Sequence, residues 1–117
     1  MASQNEAPIS SLEYHVLLAM AEAPRYGYAI KSAIEEESAG TLTPRAGSLY
    51  RVIARLMERG WVEEADPDGE VAPHPGRARR YYGLTADGRV ALSAEAARLR
   101  EAAALAEERL GAVKGRP

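Results

Sequence analysis

The stretch Thr43–Glu64, TPRAGSLYRVIARLMERGWVEE, decides how the chain folds. Leu49, Val52, Ile53, Leu56 and Met57 fall at i, i+3, i+4, i+7 and i+8, the spacing of one buried helical face. Thr43 is the expected N-cap, with Pro44 at the first helical position. Gly60 supplies the residue that ends the helix. The opposite face carries Arg51, Arg55 and Glu58, with Arg45, Ser48 and Tyr50 in or near the first turns. Gly47 lowers helix propensity by roughly 1 kcal/mol. Its presence points either to close backbone approach by a neighbour or to a later helix start. Trp61-Val62-Glu63-Glu64 then reads as a short strand.

Working outward, two helices precede this one. Ser10 and Glu13 have capping-box spacing, and Leu12, Val16, Ala19, Met20 and Ala23 follow at helical spacing until Pro24 closes the segment. A second helix runs from about Tyr26 to Ser38 on a stripe of Ile30, Ala33 and Ile34, with Glu35-Glu36-Glu37 as a solvated face. After the strand, Asp66-Pro67-Asp68-Gly69 and Pro73-His74-Pro75-Gly76 are turn chemistry. Arg79 to Leu84 reads as the return strand, with Tyr82 and Leu84 inward and Arg79 and Tyr81 outward. Thr85 caps a long helix over 86–113. Along it Leu92, Ala96, Leu99, Ala103, Ala106, Leu110 and Val113 are spaced 4, 3, 4, 3, 4, 3, a coiled-coil seam about three heptads long. Ala102 and Leu105 widen the seam. Three short helices offer little surface to cover so long a helix, so a partner chain is the expected cover. The order helix, helix, helix, strand, wing, strand, long helix is that of a mainly α winged helix-turn-helix with a C-terminal dimerisation helix. The expected division is a tail at 1–9, a DNA-binding domain at 10–85, the dimerisation helix at 86–113 and a tail at 114–117.

The 117 residues suit one domain, and 46% hydrophobic content supports a modest core. A chain this small gains from burial against a second subunit. The absence of cysteine excludes disulfides, thiolate metal sites and a cysteine nucleophile. MASQNEAPISS has neither the basic nor the apolar region of a secretory signal, and no apolar run is long enough to span a membrane, so a cytoplasmic location is expected.

The formal charge is −2, but its distribution is uneven. Between Pro44 and Arg59 stand Arg45, Arg51, Arg55 and Arg59 against the single acid Glu58. Between Val71 and Gly83 stand Arg77, Arg79 and Arg80 with no acid. Guanidinium groups are always charged and forked to suit phosphate oxygens or guanine edges. The expected partner is therefore double-stranded DNA. Thr43, Arg45, Ser48, Tyr50, Arg51 and Arg55 present from the third helix, and Arg77, Arg79, Arg80 and Tyr81 clamp phosphates from the wing. Tyr50 has a second reading, as a core residue spanning the helix junction.

Three blocks carry a family resemblance: YGYAIKSAIEE (Tyr26–Glu36), GSLYRVIARLMERGWVEE (Gly47–Glu64) and GRARRYYGLTADGR (Gly76–Arg89). Together they resemble the signature blocks of PadR-like transcriptional regulators, and the length resembles the short subgroup with one C-terminal helix. The resemblance implies a homodimeric DNA-binding repressor, and many relatives lose DNA affinity when a small hydrophobic or phenolic molecule binds. In some short members a tryptophan of the C-terminal helix builds an aromatic ligand site. This chain departs there, because Trp61 precedes the wing and no aromatic follows Tyr82.

Enzyme readings find little support. His15 and His74 have no metal-ligand companion at helical spacing, so no metal and no cofactor is expected. No phosphate-binding glycine loop or nucleophile elbow occurs, and the carboxylates stand in surface runs rather than as isolated pairs. The alternative of a different class is a winged-helix module that docks a protein, which the acidic balance and the acidic first wing strand favour.

Overall fold

The computed structural model describes residues 8–66 and 80–114, with side chains as far as 111. Arg77, Arg79, His74, the turns at 67–69 and 73–76, and the side chain of Val113 lie outside the described residues. The elements run α1 (Ser11–Ala19), β1 (Arg25–Tyr26), α2 (Gly27–Glu37), α3 (Ala46–Glu58), β2 (Val62–Ala65), β3 (Tyr81–Leu84) and α4 (Ala86–Lys114). The chain is mainly helical, with a small antiparallel sheet in the order β1-β3-β2.

The capping box of α1 is formed: the Ser10 hydroxyl accepts from the Glu13 amide at 3.1 Å, and the Glu13 carboxylate accepts from the Ser10 amide at 2.9 Å. The helix stops at Ala19 rather than continuing to Ala23 as expected. Pro24 disfavours helical backbone at the residue before it, and the Arg25 side chain donates to the Ala19 carbonyl at 2.9 Å, closing the helix end early. The chain thereby turns into β1, a strand that is not among the expected elements. Tyr26, expected to open the second helix, is extended (φ −92°, ψ 167°) and pairs with Tyr81, as Arg25 does with Tyr82.

The start of α3 also differs. Arg45, not Thr43, is the N-cap, and it caps without a side-chain hydrogen bond. Leu42 is already packed against the core and Leu49 is the next fully buried side chain. The chain runs without helix from Leu42 to Arg45, so the helix begins two residues later than expected and carries Leu49 into the core in its first turn. Leu49, Val52, Ile53 and Leu56 are buried as expected, whereas Met57 is 37% exposed. At 100° per residue Met57 sits about 80° round from Leu49, on the rim of the stripe. With Val16, Leu17, Met20, Ile30 and Ile34 these residues form the core, closed by Trp61, Val62 and Tyr82. Leu84 packs on its edge and Tyr82 is buried as expected, but Gly83 between them is buried too and Tyr81 is half-buried, so burial along β3 does not alternate cleanly.

Gly60 ends α3 with φ 81°. Its amide bonds to the Met57 carbonyl at 3.0 Å and the Trp61 amide to the Leu56 carbonyl at 3.0 Å, the paired bonds of a Schellman cap. The same corner receives α4. The Thr85 amide donates to the Trp61 carbonyl at 3.0 Å, and the Thr85 hydroxyl donates to the Gly60 carbonyl at 2.6 Å. That hydroxyl also accepts from the Gly88 amide at 2.9 Å, capping α4. Gly88 presses so closely on the Trp61 backbone that a Cβ there would overlap its carbonyl oxygen.

The seam of α4 divides. Leu92 packs on the core of its own domain and Ala96 is half-buried. From Arg98 to Gly111 every side chain is exposed, Leu99 at 38% and Leu110 at 64%.

Gly88→Ala forces the first turn of α4 off Trp61, and the expected loss is about 3 kcal/mol, the upper range for overpacking. Thermal unfolding followed by circular dichroism should show a Tm lower by more than roughly 10 °C. Gly111→Ala meets no neighbouring atom within 4 Å among the described residues and should instead leave stability unchanged or raise it by up to about 1 kcal/mol.

Candidate nucleic-acid interface

Burial of Leu49, Val52, Ile53 and Leu56 dictates which side of α3 faces out. Gly47, Arg51, Ala54 and Glu58 lie opposite the buried stripe, with Tyr50 and Arg55 on its flanks. Beyond its own helix backbone and its two chain neighbours, nothing among the described residues lies within 4 Å of where a Gly47 Cβ would be. Of the two readings of Gly47, the helix does start later than expected, and no part of the described chain approaches this residue. Gly47 and Ala54 leave the centre of the face low, and the long side chains stand at its edges.

The predicted residues are placed as follows. Arg45 and Arg51 are exposed and make no hydrogen bond or ion pair among the described residues. Thr43 is exposed in the extended chain before the helix, and Ser48 is half-buried. Tyr50 is 48% exposed, yet its hydroxyl occupies the space that a Cβ on Gly27 would take. It therefore spans the junction between α2 and α3 while keeping part of its ring at the surface. Tyr28, beside that junction in the first turn of α2, is 68% exposed. This further aromatic hydroxyl is not among the expected site residues, and the Tyr-Gly-Tyr run of Tyr26–Tyr28 is the signal that points to it.

Arg55 has a partner within the fold. Its Nε donates to Glu13 Oε2 at 3.0 Å, and the Glu13 side chain is only 7% accessible while that of Arg55 is 52% accessible. Burial pushes the Glu13 carboxyl pKa up. The Ser10 amide, the Arg55 guanidinium and the Arg59 charge outweigh that effect and hold it below the usual value. Arg59 itself lies over the Trp61 ring at 4.6 Å, a cation–π contact that ties it to the α3–α4 corner.

On the wing side, Arg80 stands exposed 3.5 Å from Glu64 across the β2–β3 pair, a solvated ion pair that contributes little to stability. Tyr81 is half-buried rather than fully outward, its ring edge-on to Tyr26 with centroids 5.6 Å apart. This arrangement follows from β1, which places Tyr26 opposite Tyr81. Among the described residues no three His, Cys, Asp or Glu side chains converge as metal ligands. None of the described helices is long and apolar enough to cross a membrane.

Comparison with known proteins places this geometry. The family model for the transcriptional regulator PadR-like family matches residues 16–94. Over 81 residues the chain is 40% identical to an uncharacterised 37.1 kDa protein in transposon TN4556 of Streptomyces fradiae. That match covers 69% of this chain and 21% of the other, so the chain spans about a fifth of the length of this curated relative. A PadR family transcription regulator from Clostridium difficile superposes with a TM-score of 0.69 at 18% identity, over 86% of this chain and 99% of that one. A PadR-like transcription factor from Bacteroides fragilis gives 0.65 at 26% identity, over 83% and 87%. Bacillus subtilis PadR, solved in complex with operator DNA, gives 0.60 at 21% identity, over 74% and 46%.

The Glu13–Arg55 pair makes a pH-dependent contribution with a defined sign. A carboxylate whose folded pKa is lowered stabilises the fold above its unfolded value, near 4.5, and loses that contribution as pH falls through the lower folded value. Glu13→Gln should therefore be less stable than the parent by about 1–2 kcal/mol at neutral pH, allowing for the exposure of Arg55. Denaturant titrations at a series of pH values should show the two proteins converging well below pH 4.5.

Proposed function

This chain belongs to the PadR-like family of transcriptional regulators, and we propose that it acts as a repressor which binds a pseudo-palindromic operator as a homodimer. The observation that carries the reading is the state of Arg45 and Arg51. In a chain of net charge −2, these two arginines of α3 are exposed and have no protein partner among the described residues. Arg25, Arg55, Arg80, Arg89 and Arg98 all engage groups of their own chain. Unpaired guanidinium groups on the exposed face of the third helix suit phosphates and guanine edges in a major groove.

Under this proposal α3 enters the groove with its low centre at Gly47 and Ala54 toward the base edges. Arg45, Arg51 and Arg55 stand at the sides, with Thr43, Ser48 and Tyr50 near the helix start. Arg77, Arg79, Arg80 and Tyr81 of the wing hold the flanking backbone. Leu99, Ala103, Ala106, Leu110 and Val113 pair with the same residues of a second subunit, with Leu92 and Ala96 at the root where the seam leaves its own domain. Exposed leucines at heptad spacing on the part of α4 beyond Ala97, where every described side chain is exposed, favour that pairing. A small hydrophobic or phenolic effector would act by changing the angle between the two winged domains, shifting the population of DNA-competent dimers. The operator-bound Bacillus subtilis relative is consistent with DNA as the partner.

A titration against DNA from upstream of the chain's own gene, at several salt concentrations and beside an unrelated fragment, tests the reading. The expected result is salt-sensitive binding that favours the upstream fragment. Joint replacement of Arg51 and Arg80 by Ala should weaken binding to both fragments and lower the salt slope by about one for each phosphate that is no longer neutralised. Equal, weak, salt-insensitive association with both would favour the protein-docking alternative, to which the exposed Glu63 and Glu64 of β2 lend a specific surface. Leu99→Asp places a charge in the seam, and sedimentation should show monomers where the parent sediments as a dimer. A dimer that persists would locate the interface elsewhere.

A further inference from the structure

We infer that Glu13, although it lies in the first turn of α1, is a positioning residue for DNA contact: it holds the Arg55 guanidinium from behind and turns its free end outward to a phosphate. The inference rests on the reading that α3 meets DNA, and it concerns a residue whose sequence signal is that of a helix cap alone.

The argument begins with how the carboxylate is fixed. Glu13 Oε1 accepts the Ser10 amide at 2.9 Å, and Oε2 accepts Arg55 Nε at 3.0 Å. Its backbone amide is in turn held by the Ser10 hydroxyl at 3.1 Å. Both oxygens are committed and the side chain is buried, so the carboxylate cannot swing out to follow a mobile arginine. Arg55 is held by one edge of its fork. Its two Nη groups make no hydrogen bond among the described residues, and the side chain is 52% exposed. A planar guanidinium held at Nε leaves the edge between its two Nη groups, about 120° away from the Nε–H bond, free for two oxygens of one phosphate. An arginine on a bare helical surface must give up its rotamer freedom when it binds. Here that ordering has already taken place in the free protein, so association costs less. The carboxylate does not cancel the attraction, because the charge of Arg59 also acts on Glu13, leaving two guanidinium groups against one acid.

The test is a double-mutant cycle in DNA affinity. The parent, Glu13→Gln, Arg55→Ala and the double variant are titrated against the upstream duplex and an unrelated duplex at neutral pH over several salt concentrations. Temperatures are chosen at which circular dichroism shows all four folded. Glutamine keeps an oxygen for the Ser10 amide, so the cap survives while the negative charge facing Arg55 is removed. Arg55→Ala should lower affinity about tenfold and the salt slope by about one. Glu13→Gln should lower affinity about fivefold and also flatten the slope, a change that reduced stability alone does not produce. In the Arg55→Ala background Glu13→Gln should cost nothing further. An equal loss in both backgrounds would overturn the inference, since Glu13 would then act through the fold rather than through Arg55. Binding by Glu13→Gln as tight as the parent, or tighter, would also overturn it and mark Glu13 as a competitor of phosphate. Failure of the parent to bind either duplex would overturn the DNA reading itself, and is distinguishable from both.

Discussion

The Trp61 carbonyl holds the architecture together. The Schellman cap that ends α3 delivers Trp61 to the corner where β2 begins, and the Thr85 amide bonds to that same carbonyl. Thr85 then caps α4 with its hydroxyl while donating to the neighbouring Gly60 carbonyl. Three elements share a few backbone atoms, and Gly88 admits the close approach that this requires. The direction in which α4 leaves the domain is therefore set by the end of α3. The helix proposed to meet DNA and the helix that carries the exposed seam are joined where the Thr85 amide and hydroxyl donate to the Trp61 and Gly60 carbonyls.

The arginines illustrate why charge distribution matters more than net charge. Arg25 closes a helix, Arg59 lies over an indole, Arg89 reaches the Ala21 carbonyl and Arg98 pairs with Glu95. What remains for an external anion on α3 is Arg45, Arg51 and the outward end of Arg55. The wing contributes Arg80, which shares its charge with Glu64. Arg100 and Arg109 of α4 are likewise exposed without a partner among the described residues, so it is position on α3 together with an unpaired guanidinium that marks Arg45 and Arg51, a distinction that composition cannot make.

Much of the fold was legible because its signals are local. The capping box at Ser10 and Glu13, the buried stripe of α3, Gly60 at the helix end and the Thr85 cap each depend on residues within a few positions of one another. The features that differ from expectation depend on distant partners. β1 has only two residues and exists because β3 pairs with it, so no periodicity announces it. Its presence in turn draws Tyr81 onto Tyr26 and moves the start of α2. The cap of α3 moves from Thr43 to Arg45 because Leu42 is anchored in the core. The Glu13–Arg55 bond joins residues 42 positions apart, and neither residue's neighbours suggest it. A heptad pattern does not distinguish burial against the home domain from burial against a partner. Leu92 packs at home while Leu99 and Leu110 carry the same spacing into solvent.

The rigid corner has a mechanical consequence. At 1.5 Å per residue the 29 residues of α4 make a rod about 44 Å long, rooted at one end in contacts of a few ångströms. A tilt of about 5° at that root sweeps the far tip sideways through about 4 Å. In the proposed dimer, leverage of this kind would let slight repacking along the two rods alter the spacing of the α3 helices while leaving each domain internally unchanged.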